Sequence, residues 1–231
     1  MQKTLLAFAI CATSIANVSA QDLTISITNL THGSHFTPLL VAAHAADQHL
    51  FEAGMSASTN LQAMAEGGDT SGLINDLNGV SADISDNPAA GLMTPGQSVS
   101  FDLMTQSANT HISVVAMVLP TNDGFVGLDA MHIPTAVGTY TYYLDAYDAG
   151  TEANDEIING AGAPGAAGIP ADPLGEGGTG ATGVTSTESN MHVHVHRGVL
   201  GDTNATGGSS DLDSRVHRWL NPVARLVIQV K

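Results

Sequence analysis

The sequence has few cysteines, few basic residues and few aromatic residues. Its single cysteine is Cys11, so no disulfide can form within the chain. Six Lys and Arg residues stand against 22 Asp and Glu residues, which gives a net charge of −16 and excludes binding of nucleic acid or anionic lipid through overall charge. One tryptophan, Trp219, leaves few flat faces for stacking against sugars, which disfavours a glycosidase.

Serine and histidine are plentiful, yet the motifs that would pair them with catalytic partners are missing from the sequence. It contains no Gly-x-Ser-x-Gly elbow, no His-x-Glu-x-x-His zinc protease pattern and no phosphate-binding loop. We therefore expect a protein that is not an enzyme.

The amino terminus has the three parts of a secretory signal peptide. Lys3 supplies a positive charge, residues 4–15 are almost wholly apolar or small, and Val18 and Ala20 are the small residues that signal peptidase requires. We expect removal of residues 1–20 and export to the periplasm or the extracellular space. The apolar run is too short to anchor a protein in a bilayer, and we expect no integral membrane segment in the mature chain.

Most of the remaining chain has the patterns of β-strands. A dense β-branched run at residues 112–119 indicates a central strand, and Ser58–Glu66 indicates one short helix that ends at Gly67-Gly68. We therefore expect an all-β fold, an antiparallel β-sandwich with one short helix. Its other strands are predicted at residues 23–27, 98–103, 139–147, 191–196 and 224–230.

Residues 159–189 depart from these patterns. They are mostly Gly, Ala, Pro and Thr without periodicity, so we expect them to bury no core and to form a long mobile loop. The residues that follow are too few for an independent core, since domains below about 40 residues need other support. We therefore expect a single domain over residues 21–231 that contains this loop.

Four blocks of sequence together resemble the spondin domain family, the domain of F-spondin and mindin that also occurs alone in bacterial secreted proteins. Their order and spacing agree with the family. The blocks are Thr28–Thr31 followed by His35–Leu39, Leu61–Asp69, Asn122–Leu128 and Tyr147–Glu152.

This resemblance implies a C2-like sandwich and one calcium site. It places calcium (Ca2+) among Asp123, Asp148 and Glu152, with Asp155 and Glu156 as further candidates. Spacing alone is less specific, because acidic turns around a glycine are usually solvated. The implied function is an exported, non-enzymatic binding or adhesion-type module with an unknown protein or cell-surface partner.

A second metal hypothesis comes from His192, His194 and His196, which alternate with valines. In a strand these histidines would share one face while the valines enter the core. Three imidazoles could bind Cu2+ or Zn2+, which would make the chain a periplasmic or secreted transition-metal-binding protein. The alternative is a polar strand face that packs under the glycine-rich loop.

Overall fold

The computed structural model describes residues 19–175 and 177–231. Residues 1–18 of the predicted signal peptide lie outside this part of the chain. The described elements, in chain order, are β1 (Asp22–Asn29), β2 (His35–Phe36), β3 (Leu40–His44), α1 (Thr59–Gly67), α2 (Ser71–Gly79), β4 (Asp83–Asp86), β5 (Ser98–Met104), β6 (His111–Leu119), β7 (Gly124–His132), β8 (Gly138–Asp148), β9 (His194–Val195) and β10 (Ala224–Val230).

The strands form one continuous path that folds into two layers. Its order is β4-β3-β6-β7-β8-β10-β1-β5, with β2 beside β6 and β9 beside β8. Strand β8 belongs to both layers, because residues 138–144 pair with β10 whereas residues 145–148 pair with β7. Every pairing between these strands is antiparallel. The predicted all-β antiparallel sandwich is confirmed.

The main core lies between the two layers. On β1, the side chains of Leu23, Ile25 and Ile27 are fully buried, as the alternating pattern predicts. They share one apolar cluster with Val114 and Val118 of β6 in the opposite layer. Burying each of these side chains stabilises the fold by about 1.5–3 kcal/mol. The apolar contact between the two layers therefore stabilises the sandwich.

Strand β6 is buried on both of its faces. Its Val115 and Met117 belong to a second apolar cluster with Leu61 and Met64 of α1. Strands β3 and β7 flank β6. The prediction of a central strand at residues 112–119 is therefore confirmed, since a strand covered on both faces requires a continuous apolar run.

The prediction of one short helix is wrong, because a second helix follows the first. Helix α1 lies where the sequence predicts it and is capped by Gly68, which adopts a left-handed φ of 73°. Helix α2 buries Leu73 and Leu77, one turn apart. Gly72 and Gly79 lower the helix propensity of this segment, so its helix depends on burial of the leucines. Within the described part of the chain, no helix is long and apolar enough to cross a membrane.

The glycine-rich segment, residues 159–189, makes buried contacts that its composition did not indicate. Ile169 is fully buried and forms a small apolar cluster with Val199 and Leu212. The expectation that the segment buries no core is therefore wrong at this position. Its mobility and the single-domain assignment stay predictions. After the segment the chain returns to the layer that contains β1, where β10 pairs with both β1 and β8.

Candidate metal centre beside β7 and β8

Two buried aspartates meet at one end of the sheet. Asp123 directly precedes β7, and Asp148 is the last residue of β8, where it pairs with Gly124. Asp123 is 0% exposed and Asp148 is 1% exposed. Burial and, after it, the charge of Asp148 raise the pKa of Asp123 to about 7. Two carboxylates in such a position favour either a shared proton or a bound cation.

One carboxylate oxygen of Asp123 accepts hydrogen bonds, whereas the other has no hydrogen-bond partner. Its Oδ2 accepts hydrogen bonds from the backbone N–H groups of Thr151 (2.8 Å) and Glu152 (3.1 Å) and from the Thr151 hydroxyl (3.2 Å). Its Oδ1 is buried without a hydrogen-bond partner. A buried acceptor without a partner costs about 1–3 kcal/mol, so this oxygen is the natural point of attachment for a cation or water.

A glycine turn returns the chain from β8 to Asp123. Gly150 adopts a φ of 69°, the left-handed conformation that glycine can take without steric cost in a sharp turn. The Asp148 carboxylate holds this turn, since its Oδ1 accepts from the Gly150 N–H (2.8 Å) and its Oδ2 from the Asn154 side chain (2.6 Å). The turn thereby brings the N–H groups of residues 151 and 152 over Asp123.

Glu152 lies beside Asp123, but residues outside the β8 turn hold its carboxylate. Its Oε2 accepts from the Gly168 N–H (3.0 Å) and from the Asn122 amide (3.4 Å), whereas its Oε1 is buried without a partner. Burial raises the pKa of Glu152 to about 7, and the charges of Glu66 and Asp123 act in the same direction.

The three predicted calcium ligands thus lie in one neighbourhood without forming a complete cage. In residues 19–175 and 177–231, no three His, Cys, Asp or Glu side chains are grouped so that they alone could hold a metal ion. Calcium takes six to eight oxygen ligands, and backbone carbonyls and water commonly supply part of them. Asp123 and Asp148 fit this chemistry as anionic oxygen ligands, with Glu152 beside them.

Two residues at this centre were missed by sequence reasoning. Glu66 of α1 is 1% exposed and accepts hydrogen bonds from the Gly165 N–H (2.6 Å) and the Gln62 amide (2.8 Å). Asn122 donates to Asp155 (2.8 Å) as well as to Glu152. The available signal for Glu66 was a carboxylate on the apolar face of a helix, directly before its glycine stop.

Glu156 has a different role from the one expected of a further ligand. Its carboxylate is buried and accepts from the N–H groups of Leu200 (2.7 Å) and Gly201 (2.8 Å) and from the Ser210 hydroxyl (2.6 Å). It therefore holds the loop that contains residues 200–210. The Asp155 Oδ1 accepts from the Ile157 N–H in addition to the Asn122 amide.

The prediction that three histidines share one strand face is wrong. Only His194–Val195 forms a strand, β9, and Val195 is 57% exposed whereas His196 is 5% exposed. The chain bends after β9, because the Gly198 N–H donates to His196 Nδ1 at 2.9 Å. The ring of His196 consequently lies against Trp219, with 5.0 Å between ring centroids, while His192 stays at the surface.

The histidine segment and the carboxylates adjoin each other. His194 Nε2 lies 3.7 Å from Asp148 Oδ2. Burial lowers the pKa of His196 to about 4, and its Nε2 is buried without a hydrogen-bond partner. Binding of copper or zinc by this segment stays a prediction.

Comparison with known sequences agrees with this architecture. The model of the Spondin_N family, the spondin N-terminal domain, matches residues 28–157. This range runs from the end of β1 through β8 and includes Asp123, Asp148 and Glu152, whereas residues 158–231 lie outside it. No curated protein matches the chain. The family match covers more than half of the 231 residues, and the chain belongs to the spondin N-terminal domain family.

Proposed function

We propose that this chain is an exported, non-enzymatic binding or adhesion-type module whose sandwich is stabilised by a calcium ion. Its family consists of extracellular-type domains that are generally non-enzymatic, which supports export and a role other than catalysis. The partner is a protein or cell-surface ligand of unspecified chemistry.

One observation carries the calcium part of the proposal. The Oδ1 atom of Asp123 is buried without a partner beside a second buried carboxylate, that of Asp148. A divalent cation would give this oxygen a partner and would compensate the repulsion between the two aspartates. A shared proton would also relieve this repulsion, but Asp123 releases it as the pH rises through about 7.

The ion would act on the turn that follows β8. Asp148 already holds Gly150, and Asp123 already holds Thr151 and Glu152 through their N–H groups. Fixing both carboxylates at once would restrain this turn against the start of β7. Such restraint suits an exported domain whose sequence offers no disulfide.

Thermal unfolding measured with calcium and with EDTA tests this proposal. We expect calcium to raise the melting temperature of the wild-type protein, with saturation at one equivalent, because a ligand that binds only the folded state stabilises it. Asp148→Asn should abolish most of this increase. Asp145→Asn is a matched control on the same strand, since Asp145 is only half-buried. An unchanged melting temperature after thorough removal of calcium would overturn the calcium site.

A second candidate function is transition-metal binding by the segment that contains His192, His194 and His196. The observation in its favour is the buried Nε2 atom of His196, which has no hydrogen-bond partner. Metal analysis of protein purified without added metal separates the two candidates. Calcium alone favours the first, and stoichiometric copper or zinc favours the second.

A further inference from the structure

Histidines from three neighbouring strands form a row at one end of the layer that contains β3, β6 and β7. His44 ends β3, His111 begins β6 and His132 ends β7. The strand register pairs His111 with His44 on one side and with His132 on the other. Residues that pair directly across an antiparallel sheet point to the same face, so the three imidazoles are neighbours.

This row lies far from the proposed calcium site. Asp123 precedes the first residue of β7, whereas His132 is its last residue. A strand of nine residues spans roughly 27 Å, so one ion cannot contact both ends. Any ligand of the histidine row therefore belongs to a separate site.

The rings of His111 and His132 have the spacing of two ligands on one metal ion. Their centroids are 5.2 Å apart and their planes are inclined by 84°. An imidazole nitrogen binds zinc at about 2.0–2.1 Å, which puts each ring centre roughly 3.2 Å from the ion and two tetrahedrally arranged ring centres roughly 5 Å apart. An edge-to-face contact between the rings without a metal has similar geometry and is the competing explanation.

The other two histidines in this region are engaged elsewhere. His44 contacts the Ser113 hydroxyl through Nε2 (2.7 Å) and the Ala45 carbonyl oxygen through Nδ1 (2.9 Å). His49 pairs with the Asp129 carboxylate, and this hydrogen bond raises the pKa of His49. His44 is buried with both ring nitrogens engaged, and His49 is tied to Asp129 through its Nδ1 atom.

His111 and His132 are better suited to bind an ion. His132 is exposed and His111 is half-buried. The Thr110 hydroxyl lies 2.9 Å from His111 Nδ1, which orients the ring and leaves Nε2 for a metal. Burial, followed by the neighbouring imidazole of His132, lowers the pKa of His111.

We propose that His111 and His132 form a transition-metal site that binds Cu2+ or Zn2+ through their two imidazole rings. Since no third His, Cys, Asp or Glu of the described residues joins them, water completes the coordination. Calcium does not compete, because it prefers oxygen ligands.

Calorimetric titration of the calcium-saturated full chain with Cu2+ tests this site. We expect the tightest Cu2+ binding to weaken by about tenfold or more in His132→Asn, because one imidazole loses the advantage of a chelating pair. His111→Asn should have the same effect. The matched control is His32→Asn, since His32 is also exposed but lies elsewhere in the sequence. Circular dichroism and the melting temperature confirm that each variant is folded.

Electron paramagnetic resonance of the wild-type protein gives a second measurement that needs no variant. Two coordinated imidazole nitrogens in the first equivalent of Cu2+ are the expected result. Equal Cu2+ affinity in the wild-type and His132→Asn proteins would overturn the site and leave a ring–ring contact only. Loss of the tightest binding in a His192→Asn, His194→Asn double variant would also overturn it and would assign copper to the β9 segment.

Discussion

The Nε2 atom of His194 lies 3.7 Å from the Oδ2 atom of Asp148. This contact joins β9 to the carboxylate centre, and the backbone pairing of Asp148 with His194 supports it. Two metal hypotheses that are separate in the sequence therefore concern one neighbourhood in the fold. An ion that binds Asp148 would also stabilise the position of β9.

Asp123→Asn should change the stability of the protein in opposite directions with and without calcium. Because the pKa of Asp123 is raised to about 7, the calcium-free wild type loses stability as the pH rises through about 7. The variant lacks this charge, so its melting temperature at pH 8 in EDTA should exceed that of the wild type. In calcium the variant should be the less stable protein, because it has lost an anionic ligand.

Differential scanning calorimetry at pH 8 measures both effects. For a domain of this size, 1 kcal/mol corresponds to a shift of about 2–4 °C. Asp145→Asn serves as the control and should leave the response to calcium unchanged. If the Asp123 variant is equally destabilised in EDTA and in calcium, the carboxylate has a structural role that is independent of an ion.

Gly150→Ala should destabilise the turn after β8. A Cβ atom at this position would lie 2.6 Å from the backbone nitrogen and 2.7 Å from the carbonyl oxygen of His192, and neither atom can move without shifting the chain. We expect a loss of about 2–4 kcal/mol in the free energy of unfolding, measured by urea denaturation. Gly160→Ala is the control, because Gly160 has a similar φ of 80° with open space around it, and it should cost only about 1–2 kcal/mol.

His35 should make the stability depend on pH. It is 5% exposed, and burial lowers its pKa below 6.5 even though the charge of Asp172 acts in the opposite direction. As the pH falls, His35 therefore takes up a proton at a higher pH in the unfolded chain than in the folded protein. Stability that is fully present above pH 6.5 should be lost as the pH falls towards the pKa of the folded protein.

A comparison of the wild type with His35→Gln isolates this contribution from those of other groups. Between pH 8 and pH 5, the stability of the wild type relative to the variant should fall by at most about 1.4 kcal/mol per pH unit. His32→Gln, at an exposed position, should show no such trend. A constant difference between wild type and His35→Gln across this range would contradict the assignment.

Glu156→Gln should loosen the loop that contains residues 200–210. The substitution turns an acceptor of two N–H groups and one hydroxyl into a side chain that carries its own donors, at a cost of about 1–3 kcal/mol. Hydrogen exchange should become faster at Leu200 and Gly201. Glu52→Gln, at an exposed position, is the matched control. The same measurement on the wild type checks the predicted mobility of residues 159–189, which should exchange faster than the strands.

Cleavage of the signal peptide gives a direct test of export. The exported protein should begin at Gln21, since Val18 and Ala20 have the small side chains that signal peptidase requires. Amino-terminal sequencing or intact mass measurement determines this. Replacing Ala20 by a bulky residue should leave the precursor uncleaved, and an exported protein that keeps Lys3 would contradict the prediction.

The strands were predictable because a strand's periodicity is local. The alternation of Leu23, Ile25 and Ile27 already identifies the buried face of β1, and the β-branched run at residues 112–119 identifies the central strand. Helix α2 was not predictable in this way. Its two glycines oppose the helix, and only the burial of Leu73 and Leu77 against the sheet compensates for them.

The sequence by itself determined the all-β class, the central strand, the family and the acidic residues around the β8 turn. Only the tertiary structure decided which side chains meet. It turned His196 inward and exposed Val195, directed both carboxylate oxygens of Glu156 to a distant loop and placed Glu66 beside Glu152. It also paired His111 with His132. The reason is that periodicity depends on adjacent residues, whereas strand register and loop packing depend on contacts between distant parts of the chain.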